Sequence, residues 1–300
     1  KSEPNLIHLS EAIQNIAIQL RQSQLICLES TSYPGTTHDM LLPAFQTPKL
    51  VVGTDFFLGF SPEREDPRNS YFNITAIPKI VSGVTNECLQ VVTALYSEVF
   101  AEVFPVSSTK TAECTKLIEN IYRHVNIGFV NELKQILSHM GVDIWEVLEA
   151  ASTKPFGFQA FYPGPGIGGH CIPNNPIYFL WKIKQLGMTS QIIDSALSVD
   201  DSMASYVVKV INDSLQINNQ NLNESQILVL GITYKANVQD TRESPAFPIM
   251  NLLQEKGATV HYSDPYVPSI ETPYSKHFEI KSTQITKEVL KTFKEVAIEN

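Results

Sequence analysis

One uninterrupted apolar stripe at helical spacing, from Ser108 to about His139, constrains this chain more than any other pattern. Apolar residues recur at every fourth position of that segment, at Leu117, Ile121, Val125, Phe129, Leu133 and Leu137. Gly141 follows as a helix stop. We expect this long helix to separate two parts of the chain, since the patterns before and after it differ.

Short apolar runs alternate with helical segments before Ser108. Strands are predicted at Leu25–Leu28, Phe56–Phe60, Ile80–Ser82 and Val103–Val106, and helices at residues 8–21, from about Thr36, and at Asn86–Phe100 with Asn86 as the N-cap. Strands and helices at such short intervals indicate parallel α/β construction.

After the long helix, the sequence first stays helical and then returns to an α/β pattern. Helices are predicted at residues 143–151, about 175–186 and 190–217, with a loop rich in Gly and Pro at 152–173 and a linker at 218–225. Strands are predicted at Gln226–Gly231 and Thr259–Ser263, with a helix between them that Ser244 caps and Pro245 opens. These last elements predict a second, incomplete α/β unit.

Composition excludes several classes of protein. The chain has 300 residues and a formal net charge of −9, which disfavours a protein that binds nucleic-acid backbones. Its four cysteines are scattered without a CxxC pair, so neither a disulfide framework nor a metal site is indicated, and free thiols suit the cytoplasm. We find no signal peptide and no apolar run of about 18 residues.

The segment Tyr162–Pro173 carries the strongest chemical signal. Its glycines are not a dinucleotide fingerprint, because no strand precedes them. They instead predict a loop without side chains that lets the backbone approach a ligand and presents Cys171 just before a helix beginning near Asn175. A helix N-terminus favours the thiolate, which is the nucleophilic form. The alternative is a structural cysteine in a turn.

Three further segments are candidates for the same site. Lys116 and Asn120 share one helix face, where an amine beside an amide suits an oxyanion or a sugar hydroxyl; a solvated pair is the alternative. Glu63 and Thr31 follow predicted strands, at the edge where α/β proteins bind ligands. At that edge Glu63 could act as a general base. The alternative is that Glu63 is an exposed loop residue.

The last of these segments combines a strand, a basic loop and a helix N-terminus. Lys235 and Arg242 lie in that loop, just before the helix at Ser244–Pro245. Together these features predict an anion site, with a solvated loop as the alternative.

As a set, these segments resemble the UDP-glucose/UDP-N-acetylsugar 6-dehydrogenase family. The matching motifs are Glu29–Gly35, Ser61–Arg64, Ala112–Asn120, Gly164–Pro173, Gly231–Lys235 and Asp240–Pro245. His170 and Arg64 are more similar to the N-acetylhexosamine branch than to the UDP-glucose branch.

The resemblance implies an α/β fold with three regions. Residues 1–107 are expected to form part of a Rossmann-like NAD-binding domain, 108–222 a central all-helical dimerisation region, and 223–300 part of a second Rossmann-like domain that binds the UDP-sugar. The family's first strand and its GxGxxG turn are absent from residues 1–107, so we expect a chain truncated at both ends.

The resemblance also implies a mechanism. NAD-dependent oxidation of a sugar C6 alcohol would proceed through a thiohemiacetal and a thioester on Cys171, with water releasing the carboxylate. Catalytic roles are implied for Lys116 at oxyanions, for Glu63 in hydrolysis and for Thr31 in holding water. Substrate contacts are implied for Asn120, Gly168 and Lys235, and cofactor contacts for Thr31 and Arg242.

One departure from the family motif concerns the residue four positions after the cysteine. The family carries Asp there, and this chain carries Asn175. An amide cannot accept a proton as a carboxylate does, so we expect reduced turnover, with Asn175 still positioning Lys116 or a water. The alternatives to an N-acetylhexosamine enzyme are a UDP-glucose dehydrogenase and an inactive remnant that persists as a dimerising module.

Overall fold

The structure is a computed structural model that describes residues 4–65 and 74–270. The chain divides into two compact units. The first unit holds residues 1–125 and 174–194, and the second holds residues 126–173 and 195–300.

A four-stranded sheet in the order β1-β2-β3-β4 forms the centre of the first unit. Its strands are β1 (Leu25–Leu28), β2 (Phe57–Phe60), β3 (Lys79–Gly83) and β4 (Val103–Pro105), and its helices are α1 (Ile7–Gln19), α2 (Leu42–Phe45) and α3 (Asn86–Ser97). A π-helical turn, Thr37–Leu41, precedes α2. Apolar residues of the strands and of α1 and α2 pack into one core that includes Ile13, Phe45, Leu58 and Phe60. All four predicted strands are confirmed.

At the centre of the sheet, the relative direction of two neighbouring strands differs from the prediction of parallel strands. β1 and β2 run parallel, as do β3 and β4, but β2 and β3 are antiparallel. Between β2 and β3 the described residues hold only a short 3-10 turn, Ile74–Ala76. A parallel pair needs a crossover connection of a dozen or more residues, usually a helix, whereas an antiparallel pair does not.

Two predicted helix caps were wrong by one residue. Thr85 caps α3, because its hydroxyl accepts a hydrogen bond from the Cys88 amide at 3.2 Å, and Asn86 is the first helical residue. In the second unit, α8 (Ala246–Glu255) has Pro245 in the cap position, and the Ser244 hydroxyl accepts only a long hydrogen bond from the Ala246 amide. Cap assignments of this kind shift easily by a residue.

The middle of the chain is helical. Its helices are α4 (Thr109–His139), α5 (Ile144–Ser152), α6 (Cys171–Gln185) and α7 (Gln191–Ile217). In the second unit α4 and α7 run side by side in the same direction, since Gly128 lies against Ala196 and the Ser138 hydroxyl lies 3.5 Å from that of Tyr206. A Cβ at Gly128 would be 3.1 Å from the Ala196 Cα, so glycine permits this close approach.

The second unit ends in a smaller α/β element. β5 (Gln226–Leu230) and β6 (Thr259–Ser263) pair in parallel, with α8 between them in sequence. α8, β6 and the end of α7 share a core that includes Val208, Phe247, Met250 and Tyr262. The expected fold class, partial Rossmann-like units on either side of a helical middle, is confirmed. The expected domain limits stay predictions.

Across residues 4–65 and 74–270, the structure contains no helix with the length and apolarity needed to cross a membrane.

Candidate functional site

Cys171 is the first residue of α6 and is exposed to solvent. The helix therefore begins four residues earlier than the sequence predicted. Pro173 is compatible with this start because first-turn amides have no partner within a helix, and Pro176 is accommodated inside the helix. The thiol thus lies exposed at a helix N-terminus.

The glycine-rich loop before Cys171 is fixed by two side chains of the second unit. The Gly164 amide donates to the Asn131 side-chain oxygen at 2.9 Å, and the Ile167 amide donates to the Asp200 carboxylate at 2.8 Å. Burial, with a smaller contribution from the nearby Asp201 carboxylate, raises the pKa of Asp200 to about 6, although the Ile167 hydrogen bond lowers it. The loop is therefore held in one conformation on α4 and α7.

Two glycines of this loop lie directly against the segment that follows β5. A Cβ at Gly168 would be 2.6 Å from the Tyr234 Cβ, and one at Gly169, whose φ is +88°, would be 2.9 Å from the Tyr234 ring. The Gly169 amide also donates to the Arg242 carbonyl at 2.9 Å. The second unit thus brings the cysteine loop against the segment that carries Lys235 and Arg242, two of the predicted binding residues.

Arg242 is exposed and already has a carboxylate partner. Its guanidinium contacts both oxygens of Asp240, the shortest at 2.6 Å. This hydrogen bonding lowers the pKa of Asp240. An anion bound there would share the guanidinium with Asp240.

In the first unit, Glu63 follows β2 and Thr31 follows β1, and these strands are parallel neighbours. Their carboxyl ends therefore lie at one edge of the sheet. The Glu63 carboxylate accepts hydrogen bonds from the amides of Arg64 at 2.7 Å and Glu65 at 2.6 Å, and from the Lys79 ammonium at 3.3 Å. Burial alone would raise the pKa of Glu63, but these donors together lower it below the ordinary value. Glu63 is thus held as a carboxylate.

The remaining candidates of the first unit lie on α4 and α6. Lys116 and Asn120 are one turn apart on α4 and both are partly buried, while Asn175 is only 2% exposed. The side-chain amide nitrogens of Asn120 and Asn175 are buried and have no hydrogen-bond partner among the described residues. Native structures rarely leave such donors unpaired, so both amides indicate a bound polar ligand or water.

The turn after β1 is built around a buried carboxylate. Glu113 on α4 is 1% exposed and accepts hydrogen bonds from the Gly35 amide at 2.5 Å and from the amide and hydroxyl of Thr37 at 2.9 and 2.7 Å. Burial raises the pKa of Glu113, although these donors lower it. Beside this turn, the Ser32 hydroxyl is buried and no group in the described part of the chain bonds it. A polar ligand at the carboxyl end of β1 would satisfy it.

Several residues of these sites were not identified from the sequence: Lys79, Glu113, Asn131, Asp200 and Tyr234. The sequence position of Lys79 could have pointed to it, since a lysine that begins an apolar strand directly after a proline is unusual. Glu113, Asn131 and Asp200 lie on helix faces, where polar residues are usually solvated. No group of metal-binding side chains occurs within the described ranges.

Comparisons with known proteins identify three successive domains. The NAD-binding domain of the UDP-glucose/GDP-mannose dehydrogenase family matches residues 1–100, the central domain of that family matches residues 110–202, and its UDP-binding domain matches residues 228–298. The cofactor of the matched N-terminal domain is NAD. The unpaired Ser32 hydroxyl at the end of β1 fits such a polar cofactor.

Individual relatives cover most of this chain. It is 35% identical over 267 residues to a UDP-N-acetyl-D-glucosamine 6-dehydrogenase of Pseudomonas aeruginosa, covering 88% of this chain and 63% of that protein. It is 32% identical to a UDP-N-acetyl-D-mannosamine dehydrogenase of Methanocaldococcus jannaschii, covering 87% of this chain and 58% of that protein.

A solved structure agrees with these relatives. The UDP-D-ManNAc dehydrogenase of Pyrococcus horikoshii aligns with a TM-score of 0.81 at 31% identity, over 88% of this chain and 62% of that one. In each comparison the chain spans under two thirds of the relative's length. Because the three domains match in order along nearly the whole sequence, the chain belongs to the UDP-glucose/GDP-mannose dehydrogenase family.

Proposed function

We propose that this protein oxidises the C6 alcohol of a UDP-N-acetylhexosamine to a carboxylate, with NAD as the oxidant, and that its product serves polysaccharide synthesis. The observation that carries the proposal is the exposed Cys171 thiol at the N-terminus of α6, after a glycine loop fixed by hydrogen bonds. NAD, when bound, accepts a hydride in each of two oxidation steps.

The covalent chemistry takes place on Cys171. Oxidation of the alcohol first gives an aldehyde, and the Cys171 thiolate adds to its carbonyl carbon to form a thiohemiacetal. Loss of a second hydride from that carbon gives a thioester. Water then adds to the thioester, and the carboxylate leaves as the thiol is restored.

The other candidates take supporting roles in this proposal. The Lys116 ammonium stabilises the oxyanions that form on the substrate oxygen. Glu63, whose pKa is lowered, remains a carboxylate that can accept a proton from the hydrolytic water, and Thr31 at the neighbouring strand end holds that water. Asn175 positions Lys116 or a water.

Substrate and cofactor contacts are assigned to the remaining residues. The unpaired amide of Asn120 suits a substrate hydroxyl or carbonyl, and the glycine at 168 allows close approach of the backbone. Lys235 suits the substrate's anionic groups, while Arg242 and Thr31 contact the cofactor.

The choice of an N-acetylated sugar follows from the relatives, whose names specify UDP-N-acetylglucosamine and UDP-N-acetylmannosamine as substrates. UDP-glucose is the competing substrate. Covalent catalysis by a free thiol requires reducing conditions, and all four cysteines are free, so we propose that the protein works in the cytoplasm.

We also propose that the protein is a homodimer. Large apolar side chains are exposed on α4 and just beyond it in the second unit: Phe129 (56%), Ile136 (48%), Met140 (66%) and Trp145 (49%). Exposed apolar surface of this kind is typical of a protein interface. Sedimentation of the wild type and of Phe129→Glu tests this, with Ile217→Glu, an exposed apolar residue at the end of α7, as the control.

The function is tested by titration calorimetry with NAD and with UDP-N-acetylglucosamine, UDP-N-acetylmannosamine and UDP-glucose, followed by assay of NADH formation. We expect binding of NAD and of an N-acetylated sugar, and sustained NADH formation that Cys171→Ser prevents and Cys114→Ser leaves intact. A folded dimer that binds neither NAD nor a UDP-sugar would instead identify the protein as an inactive remnant. Asn175, where the family motif has Asp, is the feature that supports this alternative.

A further inference from the structure

Lys79 is a buried lysine in the first unit that the proposed reaction does not use. It begins β3, and its side chain is only 4% exposed. Burying an ammonium group is costly unless charges and hydrogen bonds compensate for the lost water. The surroundings of this ammonium therefore indicate what it does.

Two carboxylates and two aromatic rings surround the Lys79 ammonium. Its Nζ lies 3.3 Å from the Glu63 Oε2 and 3.4 Å from the Glu29 Oε1. It also lies 5.2 Å from the ring centroids of both Tyr96 and Phe100, within range of cation–π attraction. The ammonium thus has contacts from the residues that follow β1 and β2, from α3 and from the residue Phe100 just beyond α3.

These contacts hold the ammonium in a fixed place. The Tyr96 hydroxyl donates to the same Glu29 oxygen that contacts Lys79, so Glu29 is itself fixed. Glu29, Glu63 and the two rings contact the ammonium together. A long, flexible side chain is thereby converted into a positioned charge.

We propose that Lys79 is a positioning residue that fixes the Glu63 carboxylate and keeps it ionised. This inference rests on the proposed function for its catalytic meaning, because Glu63 is there the group that accepts a proton from water. The hydrogen-bond geometry agrees with it. The Arg64 and Glu65 amides bind Glu63 Oε1, while Lys79 alone binds Oε2 among the described residues.

Other charges near Glu63 do not substitute for Lys79. The Arg64 guanidinium is engaged by Glu119 at 2.6 Å and by the Pro78 carbonyl at 2.9 Å. In the described part of the chain, the charged and titratable groups around this cluster are Cys27 and Glu29 from β1 and its end, Arg64 and Glu65 after β2, Lys79 on β3, Tyr96 on α3 and Glu119 on α4. Among the described residues, Lys79 alone adds a positive charge in direct contact with the Glu63 side chain.

The pKa of Glu63 tests the proposal without reference to activity. It can be measured by NMR titration of protein labelled with ¹³C at the glutamate carboxyl carbons, with Glu63→Gln to assign the signal. We expect Lys79→Met to raise this pKa by about one unit, since removing a nearby opposite charge favours the neutral acid. Glu29→Gln removes the competing carboxylate and should lower the pKa of Glu63 by a few tenths of a unit, roughly.

Two controls make the result specific. Lys49→Met removes an exposed lysine of the same unit and should leave the Glu63 signal unchanged, and Lys79→Arg should keep the wild-type pKa within about half a unit because it retains the charge. Equal titration of Glu63 in the wild type, in Glu29→Gln and in a folded Lys79→Met variant would overturn the proposal. If Lys79→Met does not fold, Glu29→Gln decides.

The pH profile of NADH formation separates this inference from the proposed function. If both hold, the acidic limb of the profile moves in Lys79→Met by the same amount and in the same direction as the Glu63 titration. A shift in the NMR titration with an unmoved profile supports the positioning role of Lys79 and contradicts the role of Glu63 in hydrolysis.

Discussion

At the scale of single residues, the candidate residues have environments that suit different tasks. Cys171 is exposed at a helix N-terminus, whereas burial raises the pKa of Cys27 to about 11 and makes that thiol unreactive. Glu63 remains ionised because two amides and Lys79 donate to it, and Asn175 is buried with an amide nitrogen that no group of the described residues bonds. The residue types alone would not distinguish these thiols; their surroundings do.

The amide at Asn175 leads to a prediction at this scale. Asn175 lies one turn after Cys171 on α6, and the resembling motif has Asp there. We expect Asn175→Asp to increase the rate of NADH formation about tenfold or more, because a carboxylate accepts a proton that an amide cannot. Asn174→Asp, the neighbouring change, is the control and should not accelerate the reaction. An unchanged rate in Asn175→Asp would refute the assignment.

At the scale of elements, turns and loops are fixed by side chains from distant helices. Glu113 of α4 holds the turn after β1, and Asp200 of α7 holds the loop before Cys171. In the first unit, α6 is attached to the same β1 turn, since the rings of Trp181 and Tyr33 lie 4.9 Å apart and Lys182 pairs with Asp39 at 2.8 Å. The long helices therefore position the loops as well as forming the core.

Asp200 makes the stability of the second unit depend on pH. Its pKa of about 6 exceeds the usual value for Asp, so between about pH 4 and pH 6 the folded chain retains a proton that the unfolded chain has lost. The contribution of this group to the free energy of unfolding therefore decreases as the pH rises through that window. Allowing for its partial exposure, we expect a loss of about 1–2 kcal/mol.

The change Asp200→Asn isolates this effect. Asparagine keeps the oxygen that accepts the Ile167 amide but cannot ionise. Urea denaturation at pH 4.5 and pH 7.5 should show a smaller difference between the two pH values in Asp200→Asn than in the wild type. Asp201→Asn, an exposed neighbour, should respond nearly as the wild type does. An identical pH response in Asp200→Asn would show that Asp200 titrates normally.

Strands and long helices were predictable from the sequence because burial imposes a regular pattern on each element. The six strands and the stripe of α4 follow that rule. The antiparallel pairing of β2 with β3 was not predictable, since pairing direction depends on the connection rather than on the strands. The start of α6 was placed too late because Pro173 indicated a helix boundary, whereas α6 accommodates both Pro173 and Pro176.

The candidate site was predictable only in part, for a related reason. Cys171, Lys116 and Glu63 belong to local motifs that a single sequence shows. Lys79 and Asp200 act on residues 16 and 33 positions away, respectively, and no local pattern records such contacts. Long-range polar contacts of this kind require the fold.

At the scale of the whole molecule, the chain combines three matched domains of one dehydrogenase family. Its two compact units divide within the helices α4, α6 and α7, so elements of the central helices belong to both units. The candidate residues are distributed accordingly. Thr31, Glu63, Lys116, Asn120 and Asn175 belong to the first unit, and Gly168, Cys171, Lys235 and Arg242 belong to the second.

The most direct test of the account is mass spectrometry of the peptide that contains Cys171. The protein is incubated with NAD and UDP-N-acetylglucosamine or UDP-N-acetylmannosamine, quenched in acid and digested. We predict that this peptide gains the mass of the oxidised sugar nucleotide as a thioester, and that hydroxylamine removes it. NADH formation with Cys171 unmodified throughout and with Cys171→Ser fully active would contradict the account.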